Sequence, residues 1–139
     1  MKWDYSKPAP NTVNGRGVEK DERKAAEWYK KAVEWYTKAA DKGDSDAMFN
    51  LGVMYANGRG TPKSLAEAVK WYRKGAEAGN AVAMKNLAVM HENGQGVPKD
   101  EAEAAKWYTK GAEAGNGDAM SALGTMYASG KGIPKNTKE

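Results

Sequence analysis

The chain has 139 residues, no cysteine and a formal net charge of +4, which is the length of about one domain and excludes disulfides, thiolate metal sites and thiol nucleophiles. Its lysines and arginines are spread along the sequence, so the charge predicts a solvated surface rather than a nucleic-acid-binding patch. Apolar runs are only a few residues long, which predicts no membrane-spanning segment.

The first predicted element is an irregular segment over residues 1–14. Its start, MKWDYSKPAP, lacks the apolar run of a signal peptide, so a cytoplasmic location is favoured, with a periplasmic or secreted one if a signal peptide has been removed. Trp3 and Tyr5 are expected to anchor residues 1–13 along the first helices, and the alternative is that these residues are partly disordered. The sequence NGRGV at 14–18 resembles the closing loop of a degenerate unit.

The next element is a long helix over about residues 20–41, in which the pair Trp-Tyr occurs at Trp28 and again at Trp35. Seven residues are nearly two helical turns with a drift of about 20°, so both tryptophans are expected on one face. The spacing indicates one inserted heptad in a single helix about 30 Å long, whose extra turns overhang the second unit or cap the open end. The alternative is a break near Lys31 and two short helices.

A later first helix is predicted over about residues 64–78. Ser64 and Glu67 match a capping box, in which each residue bonds the backbone N–H of the other, and Asp100 and Glu103 repeat it one unit later. Glycines that end these helices stand at Gly79 and Gly115.

A second helix follows, over about residues 80–92, with apolar residues at helical spacing. Its predicted N-cap is Asn80, which Asp44 and Asn116 match in the units before and after. The sequences NGRG, NGQG and SGKG close these helices and lead to a proline. No alternating strand pattern is present in the sequence.

The elements recur with a period of 36 residues, as Trp35, Trp71 and Trp107 show. Between residues 63–98 and 99–134, 21 of 36 positions are identical. Such a period is typical of a solenoid, in which stacked helix pairs bury a continuous core. Adjacent residues on a helix point about 100° apart, so a Trp-Tyr pair suits a helix that is covered on both sides.

The combined pattern resembles the Sel1-like repeat, which is related to tetratricopeptide repeats. Its parts are A-x-x-WY-x-K-G/A-A-E-x-G, then A-M-x-x-L-G-x-MY, then G-x-G-V/I-P-K-D, and the match covers residues 15–135. The resemblance implies that the first helices line a concave surface and that the protein is an adaptor that holds proteins or peptides. Ala88 and His91 depart from the Gly and Tyr of the other units, so the middle unit is expected to be less tightly packed there.

Some members of this family are described as β-lactamase-like, an activity that would require active-serine motifs. None of the serines begins S-x-x-K, and neither S-D-N nor K-T-G occurs. One histidine without cysteine predicts no metal site, and His91 is interpreted as a replacement for a repeat tyrosine. The G-x-G triplets follow helices rather than strands, so they are interpreted as helix ends. No catalytic residue, metal or cofactor is predicted.

The candidate peptide-binding residues are aligned lysines and glutamates of the first helices together with two asparagines of the second helices. A basic stripe with an acidic margin would suit an acidic peptide or a C-terminal carboxylate, and the asparagines could bond a peptide backbone. The alternative is a solvated helix face with local ion pairs. These candidates are Lys38, Asn50, Glu67, Lys70, Lys74, Asn86, Glu103, Lys106 and Lys110.

The sequence thus predicts an all-α, right-handed α-solenoid of about three helix-turn-helix repeats, with units at 20–62, 63–98 and 99–134 and a polar tail at 136–139. The predicted function is a protein- or peptide-binding scaffold. The alternatives are a structural or engineered repeat module without a partner and a β-lactamase-like enzyme. Self-association through the C-terminal end is a further expectation, with Tyr127, Met126 and Ile133 as the contributing residues.

Overall fold

Six helices make up the part of the chain that a computed structural model describes, residues 21–133. No strand occurs within that range, and the predictions for residues 1–20 and 134–139 lie outside it. The helices are α1 (Glu22–Asp41), α2 (Ser45–Asn57), α3 (Leu65–Glu77), α4 (Ala81–Asn93), α5 (Glu101–Glu113) and α6 (Gly117–Ser129).

Helix α1 is one continuous helix of 20 residues, which confirms the prediction of a single long helix and rules out a break at Lys31. The loop glycine Gly60 packs against the backbone of Tyr29, as Gly96 packs against Leu65 and Gly132 against Glu101. Tyr29 is therefore the equivalent of Leu65 and Glu101, the first residues of α3 and α5. The extra heptad is the N-terminal part of α1, residues 22–28, and every residue of it is exposed.

The predicted N-caps are present, although the capping boxes are only half formed. Ser64 Oγ accepts the backbone N–H of Glu67 at 3.1 Å. The N–H of Ser64, however, donates to the carbonyl of Tyr55 at 2.9 Å rather than to the Glu67 side chain. Asp100 likewise donates its N–H to His91 O at 2.8 Å. Each first helix is therefore fastened to the end of the preceding helix.

The core lies between successive helices and is built mainly from small residues. Leu51 and Leu87 are fully buried, at 0% exposure. A Cβ added to Gly75 would lie 3.1 Å from the Cβ of Ala83 and 3.4 Å from that of Met48, so glycine at this position lets α3 approach both α2 and α4. Alanines with no exposed surface fill much of the remaining core: Ala68, Ala83, Ala88, Ala104 and Ala119.

The Trp-Tyr pairs are covered in the interior of the array, as predicted, but not in α1. Trp107 and Tyr108 are buried at 4% and 3% exposure, and Tyr72 at 5% with Trp71 half-buried. Trp35, in contrast, is 71% exposed. The same pair therefore meets a different environment at the end of the described array.

The middle unit buries both residues that depart from the repeat pattern. Ala88 and His91 are buried, at 0% and 6% exposure. Ala88 lies in the core between α4 and α5, and His91 is held by a contact with Arg73.

Candidate functional site

Two cavities occupy equivalent positions in successive helix pairs. The cavity between α1 and α2 has a volume of about 220 Å³. The one between α3 and α4, which the C-terminal end of α2 also lines, has a volume of about 340 Å³. Their linings share a tyrosine, an asparagine, a valine and a methionine that are 36 residues apart. We call the pair the inter-helix groove, defined by Tyr36, Asn50, Val53, Met54 and Arg59 in one unit and by Tyr72, Asn86, Val89, Met90 and Gln95 in the next.

An asparagine and a tyrosine interact at the wall of the larger cavity. Burial raises the pKa of the Tyr72 phenol, and the neighbouring Asn86 side chain offsets this rise only in part. In the third unit Ala122 replaces the asparagine. Tyr108 there donates its hydroxyl to Glu92 Oε1 at 2.6 Å, and burial with this bond to a carboxylate raises the Tyr108 pKa.

Basic residues stand at both cavities. Lys63 and Lys85 line the larger one, and the Lys85 ammonium lies 4.0 Å from an Asp118 carboxylate oxygen. Arg59 lines the smaller one, with its guanidinium 5.5 Å from the centroid of the Tyr29 ring. The inter-helix groove thus combines an apolar wall, an amide and a nearby cation in each unit.

The predicted lysine column lies on another surface. Lys70 and Lys74 are two residues before and after Tyr72, which places them about 160° around the helix from it. The Lys74 ammonium group instead lies over a tryptophan, 4.7 Å from the Trp71 ring centroid. We call this surface the lysine stripe, formed by Lys38, Lys70, Lys74, Lys106 and Lys110.

Contacts within the lysine stripe are local. Lys38 lies over the Trp35 ring at 5.4 Å, and Lys110 lies over Trp107 at 4.8 Å. Lys106 is 3.8 Å from Glu103 in an i,i+3 pair, so this part of the stripe has the ion pairing expected of a solvated helix face. The lysines are exposed, and Glu67 and Glu103 are half-buried one turn before Lys70 and Lys106.

The predicted site residues therefore divide between two surfaces. The structure brings Asn50 and Asn86 into the inter-helix groove and leaves the lysines and glutamates outside it. The tyrosines, the valines and Arg59 were not predicted as lining residues. The period of 36 was the available signal, because Tyr36 and Tyr72 recur with the asparagines. The buried Met54 and Met90 belong to the core and also form part of the cavity walls.

His91 forms a buried polar contact beside the larger cavity. Arg73 Nη2 lies 3.2 Å from His91 Nε2, which suits a neutral imidazole that accepts a hydrogen bond at Nε2. The other nitrogen, Nδ1, is buried without a partner among the described residues. Burial first, and the Arg73 charge second, lower the His91 pKa, since a proton on Nε2 would displace the hydrogen bond and place two cations together.

Acidification is expected to weaken the fold through His91. Because the folded-state pKa is lowered from an ordinary value of about 6.5, the contribution of neutral His91 is fully present above about pH 6.5 and is lost as the pH falls toward the folded-state pKa. The slope is at most about 1.4 kcal/mol per pH unit. Urea unfolding between about pH 7.5 and pH 5 should show this loss in the native sequence and less of it in His91→Tyr, which restores the residue of Tyr55 and Tyr127. Equal pH dependence of the two proteins would contradict the assignment.

No group of three or more His, Cys, Asp or Glu side chains in residues 21–133 is arranged to hold a metal ion. None of the helices in this range is both long enough and apolar enough to cross a bilayer.

Comparison with known protein families gives one match, to the Sel1 repeat. The matched ranges are 13–34, 29–44, 45–80, 81–116 and 117–139. The last three ranges begin where α2, α4 and α6 begin. They therefore have the period of the predicted units, but each starts at a second helix rather than at a first helix. No curated protein matched the chain.

Solved structures with the same fold include a Sel1 repeat protein from Oxalobacter formigenes, with 40% identity and a TM-score of 0.74 over 88% of this chain and 47% of that one. A protective antigen of uropathogenic Escherichia coli, described as displaying an SLR fold, has 42% identity and a TM-score of 0.75 over 88% of this chain and 25% of that one. This chain therefore spans about half of the first protein and a quarter of the second. Helicobacter pylori cysteine rich protein B has 26% identity and a TM-score of 0.64 over 79% of this chain and 100% of that one.

Proposed function

Because the chain belongs to the Sel1 repeat family, we propose that it is a scaffold that binds an acidic peptide segment of another protein in its inter-helix groove. Sel1 repeat proteins generally serve as protein-interaction scaffolds, and the fold is typically non-enzymatic. The α-solenoid of stacked helix pairs supplies the rigid support that such a role requires.

The recurrence of the same cavity in two successive units carries this proposal. Each cavity presents an asparagine amide, which can pair with both the N–H and the C=O of an extended peptide. The valine and methionine walls provide an apolar contact for a side chain. A ligand that follows the groove would meet this combination once per unit.

The basic residues favour an acidic ligand. Arg59 at one cavity and Lys63 with Lys85 at the other place positive charge within reach of carboxylates along the groove. The chain as a whole also carries a net charge of +4, which would accelerate encounter with an anionic partner. The lysine stripe is the second candidate surface, because its ammonium groups are exposed and span successive first helices.

Binding of a fluorescein-labelled hexaglutamate peptide is expected to raise fluorescence polarisation more than binding of hexaglutamine. The groove variant Asn50→Ala/Asn86→Ala should weaken binding at least about tenfold, since each asparagine loses its two hydrogen bonds to the peptide backbone, of about 0.5–1.5 kcal/mol each. Alanine is compatible with the fold here because Ala122 occupies the equivalent position.

The matched control replaces the lysine stripe with Lys70→Gln/Lys74→Gln/Lys106→Gln/Lys110→Gln. At about 0.15 M salt the Debye length is about 8 Å, so these distant charges should change groove binding little. Loss of binding in this control alone would move the site to the lysine stripe. No preference for hexaglutamate over hexaglutamine would contradict an acidic ligand and favour a structural module without such a partner.

A further inference from the structure

The last helix leaves open a face that the earlier second helices keep covered. This α6 outer face consists of Met120, Leu123, Gly124 and Tyr127. Met120 and Tyr127 are 50% and 47% exposed, and Leu123 is half-buried, whereas its equivalents Leu51 and Leu87 have no exposed surface. Met126, which was expected at this end, is instead 2% exposed and belongs to the core.

Inside the chain the same face receives the next first helix. A Cβ added to Gly52 of α2 would lie 2.5 Å from the ring of Tyr72 in α3, and the rings of Phe49 and Tyr72 are 6.0 Å apart. Helix α4 receives α5 in the same manner. At the equivalent Gly124, a Cβ would meet no atom of the described residues 21–133 within 4 Å. The α6 outer face thus lacks a tyrosine that its two equivalents have.

The other end of the described array has the complementary exposure. Trp28 and Trp35 of α1 are 66% and 71% exposed. Trp71, which is equivalent to Trp35, packs against the cluster of Ala40, Ala47 and Leu51 in the preceding helix pair. The tryptophan at this position therefore packs against the preceding helix pair where one is present. In α1 the equivalent tryptophan is exposed.

We infer that two copies of this chain associate head to tail, with α1 of one copy on the α6 outer face of the other. The contact repeats the one between α2 and α3: Tyr36 lies over Gly124 as Tyr72 lies over Gly52, and Trp35 packs against Leu123 as Trp71 packs against Leu51. This contact uses different surfaces of the two copies, so it can continue into longer chains. The register also places Asp44 opposite Asp118, an acidic pair that moderate salt screens.

Light scattering of the full chain at about 0.15 M salt tests the inference. The average mass should rise with concentration above the 15.0 kDa of one chain. Gly124→Gln should abolish this rise, because its side chain enters open space in one copy but collides with Tyr36 in the pair. Trp35→Glu should also abolish the rise in average mass, because it changes the α1 surface of the contact. Ala66→Gln, at an exposed position in the middle of the array, is the matched control and should leave association unchanged.

A mixture of the two blocked variants gives the decisive result. Gly124→Gln retains a usable α1, and Trp35→Glu retains a usable α6 outer face, so an equimolar mixture should form dimers of twice the single-chain mass and nothing larger. Circular dichroism spectra and melting curves would verify that both variants are folded. Pairing of two α6 outer faces would instead leave the mixture without heterodimers, and this outcome overturns the head-to-tail contact. A native chain that stays at 15.0 kDa at every concentration overturns it as well.

Discussion

Replacing Gly96 with alanine is expected to lower the free energy of unfolding by about 3 kcal/mol. Gly96 has a φ of +73°, and a Cβ there would lie 2.5 Å from the carbonyl oxygen and 2.7 Å from the carbonyl carbon of Leu65. The left-handed conformation costs an alanine about 1–2 kcal/mol. The remainder of the loss comes from displacing a helix backbone, which cannot rotate away as a flexible side chain can.

Gly79→Ala separates these two contributions. Gly79 also has a positive φ, of +98°, but a Cβ there would meet nothing within 4 Å in the part of the chain that the structure describes. Gly79→Ala should therefore lower the free energy of unfolding by the conformational cost alone, about 1–2 kcal/mol. Urea unfolding midpoints at unchanged m-value give both numbers. Similar losses for the two variants would show that the approach of Gly96 to Leu65 is unimportant.

Replacing Leu87 with alanine is expected to cost about 3 kcal/mol, within the usual range of about 2–5 kcal/mol for a buried leucine. Leu87 has no exposed surface and contributes to the main core cluster, with Ala83 and Ala88 beside it in α4. Alanines have no longer side chain with which to fill the cavity, so the core around the site can relax only a little. Urea unfolding, monitored by circular dichroism, measures the loss.

Leu123→Ala provides the comparison at the equivalent position of the last unit. Leu123 is half-buried, so less apolar surface returns to water and part of the new space is open to solvent. Its loss should be about half that of Leu87→Ala or less. The measurement belongs at low protein concentration, where association through the α6 outer face does not contribute. Equal losses of unfolding free energy at both positions would contradict the inference that Leu123 is less well covered than Leu87.

The helix boundaries were largely predictable because they depend on local chemistry. Asp44, Asn80 and Asn116 accept backbone N–H groups of the helices that they begin, as expected for these side chains. The single long α1 was also predictable, since a heptad insertion keeps the tryptophans in phase. The second half of the capping boxes failed for a tertiary reason: the carbonyl of Tyr55 competes for the N–H of Ser64.

The candidate site was predictable only in part. Periodicity reveals which residues are equivalent, but it does not reveal which equivalent columns face each other. Asn86 and Lys70 each have an equivalent residue of the same type in another unit. Yet Asn86 lines the inter-helix groove with Tyr72, while Lys70 lies on the far side of α3. The exposure of Trp35 escaped prediction for another reason. Its sequence environment matches that of Trp71, but its covering depends on a preceding helix pair.

The contacts of Gly60, Gly96 and Gly132 have an evolutionary consequence. Each of these loop glycines abuts the first helix of its own pair, at Tyr29, Leu65 and Glu101, rather than that of the following pair. Tandem duplication of a 36-residue segment would therefore carry both partners of this contact together, and the new copy would need no compensating mutation in its loop. Lineages of such chains can gain or lose repeats by recombination, while selection acts separately on the side chains that line each cavity.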